Sequence, residues 1–203
     1  MAQLPNLGGL HLGREALTGM PATLRSSNTP LTELLARASN GDDEATRMEA
    51  LRAIRDMADG EEEEQRSFYS TGGVEHLSQL ARDFVDAPGL EALHALGFLV
   101  QIPNITDDEV QILTRHAVPA CAQVLRSSSE SALRKSYAAW VMSKMALVNK
   151  HALYKALQGE DVQGELAAMV RNGTTSAKIH AVTILGRLAR EDVSTISPLR
   201  RVV

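Results

Sequence analysis

The sequence predicts an all-α fold, a single array of stacked helical repeats, and two observations carry this prediction. The first is composition: 44% of the 203 residues are apolar, but only three Phe, three Tyr and one Trp are aromatic. An apolar set made mainly of Leu, Ala, Val, Ile and Met suits helix-on-helix packing better than a sheet, which favours β-branched and aromatic side chains. The second is internal repetition, because four similar segments recur at intervals of 43, 44 and 44 residues. This period predicts a solenoid with two or three helices in each unit.

Each repeat contains an amphipathic helix followed by a longer one. The amphipathic helices are predicted from TPLTELLARASN (29–40), GGVEHLSQLARD (72–83), HAVPACAQVLRS (116–127) and EDVQGELAAMVR (160–171). Polar or glycine- and proline-rich breaks follow them at 40–42, 87–89, 127–129 and 172–174. The longer helices, with apolar residues at helical spacing, are predicted at roughly 44–59, 90–101, 131–148 and 176–190. A shorter element leads into repeats two to four, at 62–73, 107–118 and 148–159.

The repeats predict one elongated array without an internal domain boundary. The array covers residues 29–191, with repeats at about 29–60, 61–106, 107–148 and 149–191. Thr29 followed by Pro30 favours a helix start, because proline in the first helical turn loses no hydrogen bond. The first 28 residues contain four glycines and two prolines with little periodicity, so they predict an irregular arm, and residues 192–203 form a short tail.

The chain resembles the armadillo-repeat family, mainly through AAWVMSKMA (138–146) and the segment HAVPACAQVLRSSSESALRKSY that precedes it. Weaker copies are HAVTILGRLA (180–189), ALHALGFLV (92–100) and EALRAIRDMA (49–58). A HEAT-like array is the neighbouring possibility, but a short extra helix and a small-residue turn before the second helix favour armadillo. The resemblance implies a right-handed superhelix in which the third helix of each repeat lines a concave groove.

The resemblance also implies where a partner would bind. In peptide-binding armadillo proteins, a Trp and an Asn one helical turn apart on each third helix hold an extended ligand. The eight corresponding positions here are Arg52, Asp56, His94, Phe98, Trp140, Lys144, Thr183 and Arg187. Only Trp140 matches and the asparagines are missing, which argues against binding of nuclear-localisation peptides.

These eight side chains would form one strip of cations and rings, because residues at i and i+4 share a helix face. Such a surface suits an acidic peptide or protein with an apolar anchor. The alternative is a solvated face on which Phe98 and Trp140 fill gaps between repeats. The acidic stretch from Asp42 to Glu64 is interpreted as an exposed helix face and a linker, with docking of a basic partner as the alternative.

Charge and residue usage exclude other function classes. The formal net charge of −4 gives no overall basic footprint, so no nucleic acid is expected as a partner. No apolar run approaches 18 residues and the N-terminus lacks the pattern of a secretory signal, so a cytoplasmic location without membrane insertion is expected. The single Cys121 and six histidines lack metal-ligand spacing, and no nucleophile–base set or phosphate-binding loop is found. We therefore expect no metal, no cofactor and no enzymatic activity.

Three functions are compatible with these features. The first is a non-enzymatic interaction module or adaptor that holds a partner in the concave groove. The second is a chaperone nucleotide-exchange factor, because armadillo-type exchange factors of heat-shock-70 chaperones share the layout of a small array after an irregular arm. The third is a structural subunit of a larger assembly: Ile179, Val182 and Ile184 on the last repeat need a cover, which another chain would supply if the C-terminal tail does not.

Overall fold

The described part of the chain consists of helices joined by short turns and loops. The computed structural model describes residues 30–41, 43–158 and 160–196, with side chains through 189, and these ranges contain ten helices and no strand. The helices are α1 (Leu31–Asn40), α2 (Glu44–Ala58), α3 (Glu62–Ser70), α4 (Gly73–Asp83), α5 (Ala87–Leu99), α6 (Asp107–Arg126), α7 (Ala132–Val148), α8 (Lys150–Ala156), α9 (Gln163–Asn172) and α10 (Thr175–Ile196).

The helices form two layers around one apolar core. Helices α2, α5, α7 and α10 pack against one another in succession, and we call them the third-helix layer. Helices α1, α4, α6 and α9 form the second-helix layer, and each contacts the third helix that follows it along the chain. Fully buried leucines from both layers, including Leu51, Leu77 and Leu125, fill the space between them. The core is therefore continuous along the array, as stacking of repeats requires.

The predicted longer helices are confirmed as α2, α5, α7 and α10, and polar side chains mark where three of them begin. Asp43 accepts a hydrogen bond from the Thr46 amide at 2.7 Å before α2. Ser131 accepts one from the Arg134 amide at 3.2 Å before α7, and Thr174 accepts one at 3.3 Å before α10. Each cap satisfies an amide that has no partner within its own helix.

Two predicted boundaries are wrong, and both involve proline. Residues 87–89 are the first turn of α5 and not a break, since proline there costs no intrahelical hydrogen bond. The elements predicted at 107–118 and 116–127 form the single helix α6, which continues through Pro119. Between α3 and α4 the chain turns at Gly72, whose φ of 76° is accessible to glycine, and α6 contains no glycine that could make the same turn.

The ends of the array are described only in part. The predicted arm, residues 1–28, lies outside the described residues. Helix α10 includes the start of the predicted tail, through Ile196, and residues 197–203 lie outside the described part. Among the described helices, none is both long and apolar enough to cross a membrane.

A buried arginine ties the third repeat to the second. Arg134 in α7 is 2% exposed, and its Nη2 donates to the carbonyl oxygen of Ala81, in the last turn of α4, at 2.6 Å. Its Nη1 pairs with the carboxylate of Glu130, which is also buried. Carbonyls in the last turn of a helix have no intrahelical partner, so a cation there satisfies one of them and interacts favourably with the helix dipole.

Candidate partner-binding cleft

Successive third helices meet in one register. In each pair of neighbouring third helices, a side chain of the later helix contacts the earlier helix at an equivalent position of the repeat. We call this position the receiving position. The receiving positions are Arg55 in α2, Gly97 in α5 and Ser143 in α7. Glu91 Oε2 of α5 lies 2.9 Å from Arg55 Nη1. The Trp140 ring of α7 covers Gly97, and His180 Nδ1 of α10 lies 3.2 Å from Ser143 Oγ.

Four rings gather where α5 meets α7. His94 stacks on Phe98 of the same helix, with ring centroids 4.9 Å apart. From α7, Tyr137 and Trp140 meet the His94 ring in edge-to-face geometry at 5.0 and 5.7 Å. Trp140 also contacts Phe98 and Tyr137 edge-to-face, each at 5.9 Å. Aromatic pairs of this geometry each contribute about 0.5–1.5 kcal/mol beyond their burial, so the ring cluster is held in place before any partner arrives.

Gly97 creates the space that Trp140 occupies. A methyl group at Gly97 would lie 1.9 Å from Cζ3 of the indole and within 2.5 Å of two further ring atoms. Any residue larger than glycine would therefore displace the ring. Because Gly97 has no side chain, α5 and α7 can approach each other with the Trp140 ring between them.

The ring cluster forms one wall of a cleft between α5, α7 and α10. The cleft has a volume of about 490 Å³ and is lined by His94, Ala132, Leu133, Ser136, Tyr137, Trp140, Thr174, Ser176 and His180. Leu133 is 56% exposed, so it presents an apolar surface to whatever enters. None of these nine lining residues is acidic. An open, largely apolar cleft with a few polar groups is the usual form of a binding site.

The opposite wall is fixed by a chain of hydrogen bonds through His180. Ser143 Oγ donates to the Trp140 carbonyl oxygen at 2.8 Å, so it acts as the acceptor for His180 Nδ1. With its proton on Nδ1, the imidazole accepts a hydrogen bond at Nε2 from Ser176, 3.2 Å away. Ser143 and Ser176 therefore hold the imidazole plane in one orientation at the rim of the cleft.

Both histidines of the cleft favour the neutral form. Burial lowers the pKa of His94, and the nearby Arg55 acts in the same direction, against the smaller opposing effects of Glu91 and Asp59. Burial also lowers the pKa of His180, together with the positive charge of Lys144. Both effects come from partial desolvation and a neighbouring cation, which disfavour a charged imidazole.

The structure brings together some of the eight predicted groove residues and separates others. His94 and Trp140 line the cleft, Phe98 packs behind His94, and Lys144 is close enough to influence His180. The other four do not line it. Arg52 and Asp56 are exposed on α2, and the Asp56 carboxylate pairs with Arg55 at 2.9 Å. Thr183 donates its hydroxyl to the Ile179 carbonyl at 2.8 Å, and Arg187 is half-buried on α10.

Seven of the nine lining residues, and Gly97, are not among the predicted positions, and four of these eight residues contribute most to the form of the site. Tyr137 and His180 stand three residues before two of the predicted positions, Leu133 lies one turn further towards the N-terminus of α7, and Gly97 lies beneath Trp140. The sequence does carry a signal for Tyr137, because an aromatic residue at i−3 from the only tryptophan lies on the same helix face. The sequence carries no such signal for Gly97, because its role depends on the Trp140 ring of another helix.

Other chemically notable residues have structural environments. Glu61 and Glu64 form a capping box at the start of α3, where the Glu64 carboxylate accepts from the Glu61 amide at 3.3 Å. Cys121 is fully buried, and burial raises its pKa to about 12, so the reactive thiolate is disfavoured. Within the described residues, no group of three or more His, Cys, Asp or Glu side chains could hold a metal ion.

Comparison with known proteins identifies the fold. No family model and no curated protein sequence matches the chain. A designed armadillo repeat protein in complex with the peptide (KR)4 is similar over 79% of this chain and 65% of its own length, at 19% identity and a TM-score of 0.66. Two engineered proteins are similar over 78% of this chain and over 62% and 37% of their own, at 21% identity and TM-scores of 0.65 and 0.67.

These similarities confirm the predicted armadillo-like fold, an all-α right-handed superhelix. The chain spans less than two thirds of the length of these three structures. All three are designed or engineered proteins, and at this level of identity the shared property is the path of the backbone.

Proposed function

We propose that this chain is a cytoplasmic, non-enzymatic interaction module or adaptor that binds a peptide or protein on its third-helix layer. The observation that supports the proposal is the cleft between α5, α7 and α10, whose apolar walls are already ordered by the ring cluster. An ordered pocket binds with a smaller loss of conformational entropy than a flexible one. The fold is commonly a protein-binding scaffold, and a similar designed protein is in complex with a peptide.

The partner that fits this surface is an acidic segment with one apolar anchor. The anchor would enter the cleft and cover the exposed face of Leu133, where it is shielded from water. Arg52, Lys144 and Arg187 form no ion pair with the described side chains, so they are available for carboxylates that flank the anchor. Charge-assisted hydrogen bonds to these cations would orient the segment along the layer.

The test is selection of peptides from a library in which each acidic peptide carries one central Leu or Phe. Binding of a selected peptide to the full chain is then measured by fluorescence polarisation and by emission of Trp140, the only tryptophan. Leu133→Ala should raise Kd about tenfold or more, because burial of a leucine stabilises by about 1.5–3 kcal/mol. Lys144→Glu should weaken the same peptide further by repulsion.

Helix α7 offers a matched control. Leu147 is 55% exposed, almost the same as Leu133, but it does not line the cleft. Leu147→Ala should leave Kd within about twofold, a change below 0.5 kcal/mol. Equal effects of the two leucine variants, or a library that yields no binder, would contradict the proposal.

A second candidate, a structural subunit of a larger assembly, is supported by one observation. Ile184 on α10 is buried within the chain, whereas Ile179 and Val182 on the same helix are 58% and 55% exposed. Exposed apolar residues of this size on one helix face favour a cover from another chain. An isolated chain that sediments as a monomer and melts with the full stability of a folded domain would contradict this candidate, because an obligate subunit needs its cover to be stable.

A further inference from the structure

Helix α10 carries an exposed apolar stripe on the side that faces away from α7. The stripe consists of Ile179, Val182, Gly186 and Ala189, which are all exposed. Their spacing places them on one face of the helix. The buried residues of the same helix, including Ala181, Ile184 and Leu188, face the core instead. Helix α10 is therefore apolar on two faces, and the described residues cover only one of them.

The stripe has the same register as the surfaces that join the earlier repeats. Gly186 stands at the receiving position, which is occupied by a side chain of the next helix in α2, α5 and α7. The residues that correspond to Val182 and Ala189 on α7 are Ala139 and Ala146, and both are almost completely buried. At Gly186, by contrast, a methyl group would meet nothing within 4 Å. The stripe thus continues an established packing surface, and no described residue occupies it.

The opposite end of the array is charged. On α2, the positions that correspond to Tyr137, Trp140 and Lys144 are Glu49, Arg52 and Asp56, and all three are exposed. Head-to-tail stacking of two chains would press these charges against the apolar stripe. Glu49 and Asp56 form ion pairs with Arg37 and Arg55, and an apolar surface would desolvate these pairs and Arg52 without offering a new polar partner. The stripe therefore matches a second stripe better than it matches α2.

We propose that the α10 stripe is the contact surface between two copies of this chain, related by a two-fold axis. The stripe has its larger residues, Ile179 and Val182, at one end and its smaller residues, Gly186 and Ala189, at the other. In an antiparallel pair of α10 helices, Ile179 faces Ala189 of the other copy and Val182 faces Gly186, because both pairs are centred on position 184. Each large side chain then meets a small one, as a self-complementary interface requires. This surface is separate from the cleft, so the proposal does not depend on partner binding there.

The oligomeric state of the full chain tests the proposal. Sedimentation velocity should show a reversible dimer with Kd on the order of 10 μM, as expected for an interface below the standard size. Gly186→Val should raise this Kd by at least about 30-fold, because a valine would then oppose Val182 of the other copy. The double variant Val182→Ala/Gly186→Val exchanges the large and small positions and should restore Kd to within about fivefold of the original value.

Gly164 on α9 provides the matched control. It is exposed, and a methyl group there would also meet nothing within 4 Å, so Gly164→Val adds the same side chain away from the stripe. This variant should dimerise normally, and circular dichroism confirms that each variant folds. A chain that is monomeric at about 200 μM would overturn the proposal. Dimerisation unchanged or strengthened by Gly186→Val would also overturn it, because general apolar stickiness predicts that result. Failure of the double variant Val182→Ala/Gly186→Val to recover dimerisation would overturn the proposal as well.

Discussion

Replacement of Gly97 by alanine tests the packing that orders the cleft. The added methyl group would lie 1.9 Å from Trp140 Cζ3, whereas carbon atoms in contact are about 3.5–4.0 Å apart. The indole must therefore move by more than about 1 Å, away from the rings that hold it. Overpacking of a core costs about 1–3 kcal/mol, and the upper value applies because three ring atoms are affected. Alanine recovers about 0.5–1 kcal/mol of helix stability over glycine, so the free energy of unfolding should fall by about 2 kcal/mol.

Gly186→Ala is the matched control, because Gly186 occupies the same register on α10 but faces open space. It should increase the free energy of unfolding by about 0.5–1 kcal/mol, opposite in sign to Gly97→Ala. Both variants are compared with the unmodified chain by urea unfolding followed by circular dichroism, at low protein concentration so that association does not contribute. Tryptophan emission of the folded Gly97→Ala variant should shift to longer wavelength, since Trp140 is the only tryptophan.

A second substitution tests whether the loss of stability comes from the clash with the Trp140 ring or from a general destabilisation of α5. Trp140→Leu removes the ring atoms that the new methyl group would strike. In that background Gly97→Ala should be neutral or stabilising, giving a coupling free energy of about 2 kcal/mol between the two positions. The reasoning is refuted if Gly97→Ala is as stable as the unmodified chain with unchanged emission, or if its cost persists without the tryptophan.

Two further predictions concern buried charge and pH. Arg134→Ala should lower the free energy of unfolding by about 3–5 kcal/mol, because the buried carboxylate of Glu130 is left without its cation. The control Lys135→Ala breaks the partly exposed ion pair with Glu165 and should lower it by less than about 1 kcal/mol. Equal losses for the two variants would contradict the argument. Burial lowers the folded-state pKa of His94 and His180 below 6.5, so as the pH falls through 6.5 the unfolded chain binds protons first and stability decreases until the folded imidazoles are also protonated. Urea midpoints measured above and below that pH should show this loss, and the double variant His94→Gln/His180→Gln should reduce it.

The fold could be predicted from the sequence because it depends on periodicity. Four copies of one pattern place the long helices α2, α5, α7 and α10 without knowledge of any contact between them. The boundaries at 87–89 and 116–119 were misjudged because proline ends a helix in some contexts and begins or bends one in others. Whether a proline ends a helix or is accommodated within it depends on the neighbouring residues. Gly72 permits a turn between α3 and α4, whereas α6 contains no glycine and continues through Pro119.

The cleft could be predicted only in part, because it depends on how helices meet. Trp140 was identifiable from the repeat pattern and His94 from alignment with it. Tyr137 and His180 line the same cleft, but their contribution follows from the register in which α7 packs between α5 and α10. Periodicity defines the face on which a residue lies and leaves open which neighbouring side chain it will contact.

Equivalent positions along the array therefore differ in function according to their neighbours. The receiving position is a charged arginine in α2, a glycine beneath a ring in α5, a serine bonded to an imidazole in α7, and in α10 a glycine that no described residue covers. Equivalent residues on α2 are exposed because no described third helix precedes it, so exposure of Arg52 and Asp56 does not itself mark a groove. Packing therefore gives the third-helix layer a charged end on α2, a central cleft between α5, α7 and α10, and an exposed apolar stripe on α10. We therefore expect a partner to bind at the centre, where the rings of α5 and α7 pack against one another and still reach solvent.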